Sequence, residues 1–183
     1  MKTKKCKVCR NEFEPTKPLA VVCSLECALS LASLKKAKRE RAKVIEDRKE
    51  TKAKLEKLKT RQEWEREAQT EFNKYIRLRD INEPCISCGR HHQGQYHAGH
   101  YLSRGARPEL AFDEDNCHKQ CSVCNNHLSG NAVLYRIGLL KKIGLERVER
   151  LECYVGIAKR SIDALRAIKA HYKAKCKEME KQQ

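Results

Sequence analysis

The chain has 183 residues, and its 40 Lys and Arg against 24 Asp and Glu give a net charge of +16. Only 5 % of residues are aromatic while 35 % are charged, which excludes a large aromatic core, and no apolar run is long enough to span a membrane. The cationic excess points to a polyanionic partner, nucleic acid first. Eleven cysteines without a signal peptide point to metal binding in a reducing cytoplasm, not to disulfides.

The first stretch, residues 1–30, reads as a four-cysteine zinc finger. Cys6 and Cys9 form C-x2-C, and Cys23 and Cys27 form C-x3-C after 13 intervening residues. A unit this small needs a metal to fold, and four thiolates suit tetrahedral zinc. Phe13, Leu19, Val21 and Val22 are expected to supply a small hairpin core. The stretch after Cys27, ALSLASLKKA, predicts a helix that carries the last ligand on its first turn, as in a treble-clef-like finger.

Residues 31–80 read as a charged helical arm. From Ala28 to about Asp80 there is no Gly or Pro, and strong helix formers dominate. A continuous helix there would be about 80 Å long. Between Ala28 and Glu63, 13 Lys or Arg stand against 6 Asp or Glu. The sparse apolar residues Leu34, Val44, Ile45, Leu55 and Leu58 hold no heptad, which argues against a strong coiled coil. Lys35, Lys36, Lys38, Arg39, Arg41 and Lys43 are the candidate phosphate contacts; the other reading of the same stretch is a solvated, partly frayed arm. Further on, Trp64, Ala68, Phe72, Tyr75 and Ile76 recur at helical steps and predict one apolar face. That face is expected to dock on the stretch that follows, with Asn82 and Pro84 ending the helix.

Residues 81–183 hold the chemistry. Cys85 and Cys88 form one C-x2-C knuckle, and Cys121 and Cys124 a second after 32 intervening residues. Together they predict a second structural zinc. Cys117, Cys153 and Cys176 are left over as ordinary thiols. Inside the clamp lie His97, His100, Asn116 and His118, and just past it Asn125 and His127. His91 and His92 read as surface groups or extra ligands, and His118 could face either side of a strand. After Asn131, three helices are expected. Ala132–Ile143 carries Val133, Leu134, Ile137 and Leu140 on one side. Leu145–Ala158 has Val148, Leu151 and Val155. A last helix capped by Ser161 carries Ile162, Leu165, Ile168 and Tyr172. The tail CKEMEKQQ is expected to fray.

Phosphodiester hydrolysis needs an activated water, a group that steers it, and a cation for the charge that develops on phosphate. A neutral imidazole is a suitable base near pH 7. His100, at the end of a hairpin strand, fits that role. Asn116 is expected to accept the other imidazole N–H and fix the ring. Oxygen and imidazole ligands on a short helix begun by CSVC, facing the strand end, suit Mg²⁺ or a softer divalent ion.

The string CISCG, HAGHY, FDEDNCHKQCSVCNNHLSGN resembles the lambda-phage NinG (Rap) recombination endonuclease family, within the His-Asn-His or ββα-metal nucleases. The resemblance covers nearly the whole chain. It implies an α+β, mostly helical protein: a small zinc-stabilised ββα-metal nuclease unit, a long charged helix, C-terminal helices and an N-terminal zinc finger. It implies a metal-dependent endodeoxyribonuclease acting on Holliday junctions and D-loops, with His100 as base, Asn116 as its orienting residue and Asn125 on the catalytic metal. Two departures stand out. Gly99 occupies the place where many of these nucleases have Asp, so His97 is a candidate replacement ligand. Asn125 stands where the third motif His is common, with His127 nearby. The expected cofactors are two structural Zn²⁺ and one catalytic Mg²⁺ or other divalent ion. The expected partner is branched DNA, with a second copy of the chain and recombination proteins as further candidates. The alternative reading is a zinc-stabilised, non-catalytic nucleic-acid-binding or adaptor protein.

Overall fold

Thr60 divides the chain. In the computed structural model, which describes residues 3–156 and 159–182, the chain forms two compact units, Met1–Lys59 and Thr60–Gln183. The helix expected to run unbroken from Ala28 to Asp80 is therefore two helices, α1 (Leu25–Leu58) and α2 (Arg61–Arg79). The break is a capping box. Thr60 Oγ1 accepts from the Glu63 backbone N–H, and the Glu63 carboxylate accepts from the Thr60 N–H. This satisfies backbone donors that a continuous helix would have bonded internally. The signal T-x-x-E was present in the sequence and outweighed the absence of Gly and Pro.

The first unit opens with a two-residue hairpin, β1 (Lys4–Lys5) against β2 (Glu12–Phe13). Its turn carries Cys6 and Cys9, and α1 then begins between the other two cysteines. Ser24 caps α1 by accepting from the Cys27 N–H at 3.2 Å. The expected apolar hairpin core does not form: Leu19 is 91 % exposed, Val21 is exposed, and Cys6 is the buried residue of this finger among those described. The thiol cluster takes the place of a core. Helix α1 buries no residue.

The second unit is built on β3 (Tyr96–His100), antiparallel to β4 (Cys117–Cys121), with His100 opposite Cys117 and Tyr96 opposite Cys121. The apolar face of α2 docks as expected. Phe72, Tyr75 and Ile76 pack with Cys117 and with Tyr172 and Cys176 of α5 (Ile162–Lys181). Trp64 and Ala68 pack against Leu165. A second core joins Leu110 to Tyr135 and Leu139 of α3 (Ala132–Ile143) and to Val148 and Leu151 of α4 (Leu145–Cys153).

Three helix expectations need correction. On α3 the buried residues are Tyr135 and Leu139, while Val133 is 75 % exposed and Leu134 and Ile137 are exposed too. The apolar spacing admitted either stripe, and the aromatic ring won because it fills more of the core. Helix α4 stops at Cys153, where Tyr154 turns extended, and Val155 is 95 % exposed. The rest of the expected helix, residues 157–158, lies outside the described residues. The C-terminal tail, expected to fray, is helical as far as Lys181, and Gln183 lies outside the described residues. Helix α5 is held there by buried Cys176, by Met179 against the core, and by a Lys74–Glu180 ion pair.

The end of α2 is pinned by a buried ionic cluster that the sequence did not announce. Asp80 is 2 % exposed. It receives both ends of the Arg79 guanidinium, Lys142 Nζ at 3.0 Å and the Lys119 N–H at 3.1 Å. Burial opposes its ionisation, but His118, Arg79 and Lys142 outweigh that and hold its carboxyl far below the usual carboxylate range. Burial pushes the His118 imidazole down despite Asp80, with Arg79 and Lys142 acting in the same direction as burial. Both folded-state values lie below the unfolded ones, so the folded chain binds fewer protons and loses stability as pH falls. Urea midpoints are expected to drop first below pH ~6.5, where unfolded His protonates, and again below ~4, where unfolded Asp does. A midpoint constant from pH 7 to 5 counts against this.

Candidate functional site

The two cysteine sets come together as the spacing requires. Cys6, Cys9, Cys23 and Cys27 form one cluster, and Cys85, Cys88, Cys121 and Cys124 the other, with all four ligand atoms of each within 4.8 Å of one another. Sulfur atoms in the first stand 3.5 Å (Cys9–Cys23) and 3.7 Å (Cys23–Cys27) apart. Tetrahedral zinc with ~2.3 Å bonds needs sulfurs ~3.8 Å apart, so the residues fit two such ions. Both knuckles use the same backbone turn. Gly89 and Arg10 follow the second cysteine with φ of 66° and 63°, and their N–H groups bond back to Cys85 and Cys6. The positive φ suits Gly89 and is strained for Arg10. In the second cluster the Cys121 N–H donates to Cys85 Sγ, and His92 Nε2 lies 3.1 Å from Cys88 Sγ. His92 thus supports a ligand from outside the four, while His91 is exposed.

His100 closes β3 beside a cavity of about 430 Å³. Its Nε2 stands 3.0 Å from the Ala111 carbonyl oxygen. A carbonyl only accepts, so Nε2 carries the proton and Nδ1 keeps its lone pair. The polar neighbour of Nδ1 is the Cys117 thiol at 3.8 Å, a weak donor. Burial lowers the affinity of the ring for a second proton. The Ala111 carbonyl opposes that shift, and Arg104 adds to it. The imidazole is neutral at pH 7.

Asn116 does not touch the imidazole, contrary to the expected role. It is fully buried, and its amide clamps backbone. Oδ1 accepts from the Leu102 N–H at 2.8 Å, and Nδ2 donates to the carbonyls of Leu102 at 3.0 Å and Leu110 at 3.2 Å. These two segments are the loop leaving His100 and the turn that carries Ala111. Asn116 therefore positions the carbonyl that orients His100, one bond removed. A backbone acceptor leaves no residue-type signature, which is why the sequence pointed to the side chain.

Asn125 lines the same cavity as His100. It sits on a five-residue π-helical turn, Val123–His127, where a regular short helix was expected; the Leu128 N–H reaches back to Val123 O at 3.0 Å. Asn125 Nδ2 donates to Asn126 Oδ1. Tyr101 and Ser129 add polar groups to the lining, as do Arg104 and Ser103, from the loop after His100, and Asn73, from α2. Arg104, Ser103 and Asn73 were singled out by no motif.

Two expected metal ligands fall outside this cavity's lining. His127 is exposed, and His97 points to the face of β3 opposite His100, since strand side chains alternate. Its Nε2 is buried without a hydrogen bond. His118 is structural: Arg79 donates to Nδ1 at 2.9 Å, and Nε2 donates to Asp115 O at 3.0 Å. Gly99 is sterically required. A Cβ there would stand 2.2 Å from Gln120 Oε1 and 3.1 Å from Asn125 Oδ1. Among the left-over thiols, Cys117 and Cys176 are buried and Cys153 is exposed.

Lys35, Lys36, Lys38, Arg39, Arg41 and Lys43 are all exposed on α1. At ~100° per residue, Lys35, Lys36, Arg39 and Lys43 share one third of the circumference. No described helix is long and apolar enough to cross a membrane.

Comparison with known proteins matches residues 1–182 to the family model described as bacteriophage lambda NinG protein. The chain is 40 % identical to protein ninG of Escherichia phage 933W, covering 96 % of this chain and 93 % of that one. It is 40 % identical to protein ninG of Escherichia phage lambda, over 93 % and 89 %, and 39 % identical to that of Salmonella phage P22, over 93 % and 90 %. No solved structure matches. A family match over residues 1–182, with relatives of this similarity along nearly their whole length, means that the chain belongs to the bacteriophage lambda NinG family.

Proposed function

We propose that the chain is a metal-dependent, structure-selective DNA endonuclease acting on branched recombination intermediates such as Holliday junctions and D-loops. The observation that carries this is His100: a neutral imidazole, fixed through Nε2 by the Ala111 carbonyl, lining one cavity with Asn125 and Arg104. His100 Nδ1 takes a proton from a water molecule as the water oxygen bonds to phosphorus. The bond from phosphorus to the departing sugar oxygen breaks. Arg104 supplies a cation beside the base for the phosphate charge. Asn125 lines this cavity, and its side-chain oxygen would hold a divalent ion. When bound, such an ion stabilises charge on the phosphate and on the leaving oxygen.

Substrate choice rests on the distribution of cations. The cavity offers few base-reading groups, while α1 carries exposed Lys and Arg along its length. Phosphate contacts position a protein without reading sequence. Recognition then follows the arrangement of duplex arms, with affinity falling steeply as salt rises. The test is a gel-shift and cleavage series on junction, D-loop and linear DNA, with and without Mg²⁺. It compares the full chain with residues 60–183, a boundary that keeps the Thr60 cap. Full-length protein is expected to prefer branched DNA and to cut it only with the divalent ion. The shorter chain should keep the catalytic groups and lose much of the preference. Equal affinity for linear and branched DNA removes the structure-selective reading. Absence of cleavage on every substrate leaves a zinc-stabilised binding protein.

A further inference from the structure

We infer that the outer face of α2 is a track for one DNA strand, on which Asn73 donates to the phosphate in the His100 cavity while Arg66 and Arg77 hold phosphates on either side of it. The inference names the surface that takes up the substrate proposed above and rests on that reading for the chemistry in the cavity. The track itself is tested without cleavage.

Helix α2 separates its charges by face. Trp64, Ala68, Phe72 and Tyr75 are buried on one side. The edge beside α5 is engaged with that helix, Glu67 with Lys169 and Lys74 with Glu180. At ~100° per residue, Arg66, Thr70, Asn73 and Arg77 share an arc of about 60° on the remaining side. No Asp or Glu of α2 falls in that arc, and Arg66, Thr70 and Arg77 are exposed. Other arginines of this unit are held by carboxylates, as Arg61 is by Glu65 and Arg150 by Asp113, whereas Arg66, Arg77 and Arg104 have no carboxylate partner among the described residues.

Asn73 ties this row to the cavity, whose wall it joins from α2. Gln69, one turn earlier, is 5 % exposed, and its Nε2 donates to Asn73 Oδ1 at 2.8 Å. With that oxygen occupied, the N–H groups of Nδ2 are what Asn73 has left to offer. No carboxylate lines the cavity among the described residues, while Arg104 does, so the wall suits an anion. Arg77 acts on the same rung of the sheet. Burial pushes up the thiol of Cys117, the ladder partner of His100, and the charges of Arg79, Arg104 and Arg77 oppose that shift.

The spacing identifies the partner. Arg66 and Arg77 stand ~16 Å apart along the helix axis at ~1.5 Å per residue. A duplex strand rises ~3.4 Å per nucleotide, so the pair spans about five steps, with the cavity between its ends. An acidic peptide could also meet two arginines. A phosphodiester backbone is the polyanion that runs on from this row into a site where a phosphate reacts, and guanidinium groups suit phosphate.

The experiment measures the affinity of full-length, zinc-loaded protein for junction DNA by fluorescence anisotropy over a series of salt concentrations, without added divalent ion. Arg66→Gln and Arg77→Gln are each expected to lower the slope of log affinity against log salt by about one. The double variant should lose about two, and at least about tenfold in affinity. Replacing both by Lys should restore the slope, which a loss through misfolding would not. Asn73→Leu removes a neutral donor, so affinity should fall about fivefold with the slope unchanged. Lys141→Gln removes an exposed charge on α3 that lines a different cavity and should leave both quantities unchanged. Zinc content and thermal melting check folding, and if the double variant loses zinc the two single variants decide. An unchanged slope in the folded arginine variants overturns the track, as does an equal loss in Lys141→Gln. Unchanged affinity in Asn73→Leu removes Asn73 from it. A reduced slope in a protein that cuts no DNA keeps the track and removes the nuclease reading. Cleavage by a wild-type chain whose double variant keeps its slope does the reverse.

Discussion

Replacing His100 with Ala is expected to abolish cleavage of junction DNA while leaving DNA binding and both zinc ions in place. The imidazole ends a strand, and its one strong hydrogen bond is to the Ala111 carbonyl. Removing it deletes the base without dismantling a core, and loss of a general base costs ~10²–10⁴ in rate. Cleavage should also fail in acid. The ring's pKa is lowered mainly by burial, so the acid limb of the rate profile should lie below the ordinary imidazole value of ~6.5. Asn116→Ala should behave differently. It leaves buried backbone groups of Leu102 and Leu110 unpaired and so lowers stability by ~1–3 kcal/mol, with a rate loss that follows from the displaced carbonyl. A His100→Ala protein that cuts at the wild-type rate sinks the mechanism. An Asn116→Ala protein as stable as wild type sinks the clamp.

Replacing Cys85 or Cys124 with Ser is expected to unfold residues 60–183. Structural zinc contributes ~10–16 kcal/mol of apparent binding free energy in small sites, comparable with or larger than the ~5–15 kcal/mol that holds a typical domain together. Here the thiol cluster fixes one end of the sheet, because Cys121 ends β4 and its N–H bonds Cys85 Sγ. Losing the ion also frees the turn that carries Asn125. Replacing Cys6 or Cys27 should act locally, since the finger belongs to the other compact unit. Circular dichroism and limited proteolysis separate the two cases. Elemental analysis of the wild-type chain should give two zinc per chain. Fewer than about one removes both zinc assignments.

The contrast between the cysteine clusters and His100 shows where sequence is enough. A C-x2-C pair is brought together by one tight turn, so both four-thiol clusters were legible from spacing alone. The docking face of α2 was legible too, because helical periodicity depends on i, i+3 and i+4 steps within one element. His100 at a strand end and Ser161 at a helix start are equally local facts.

What surrounds those residues was decided by tertiary structure. The partner of His100 is a backbone carbonyl 11 residues away, which no residue type encodes. Alternation along β3 puts His97 and His100 on opposite faces, but packing decided which of those faces lines the cavity. The Asp80 cluster joins α2, β4 and α3 through side chains up to 62 positions apart. Gln120 looked like an ordinary strand residue until the fold set its oxygen against Gly99, where no other residue fits. Short-range geometry can be read from spacing because the backbone offers few local conformations. Long-range pairing cannot, because it depends on which buried polar groups find partners once the elements have packed.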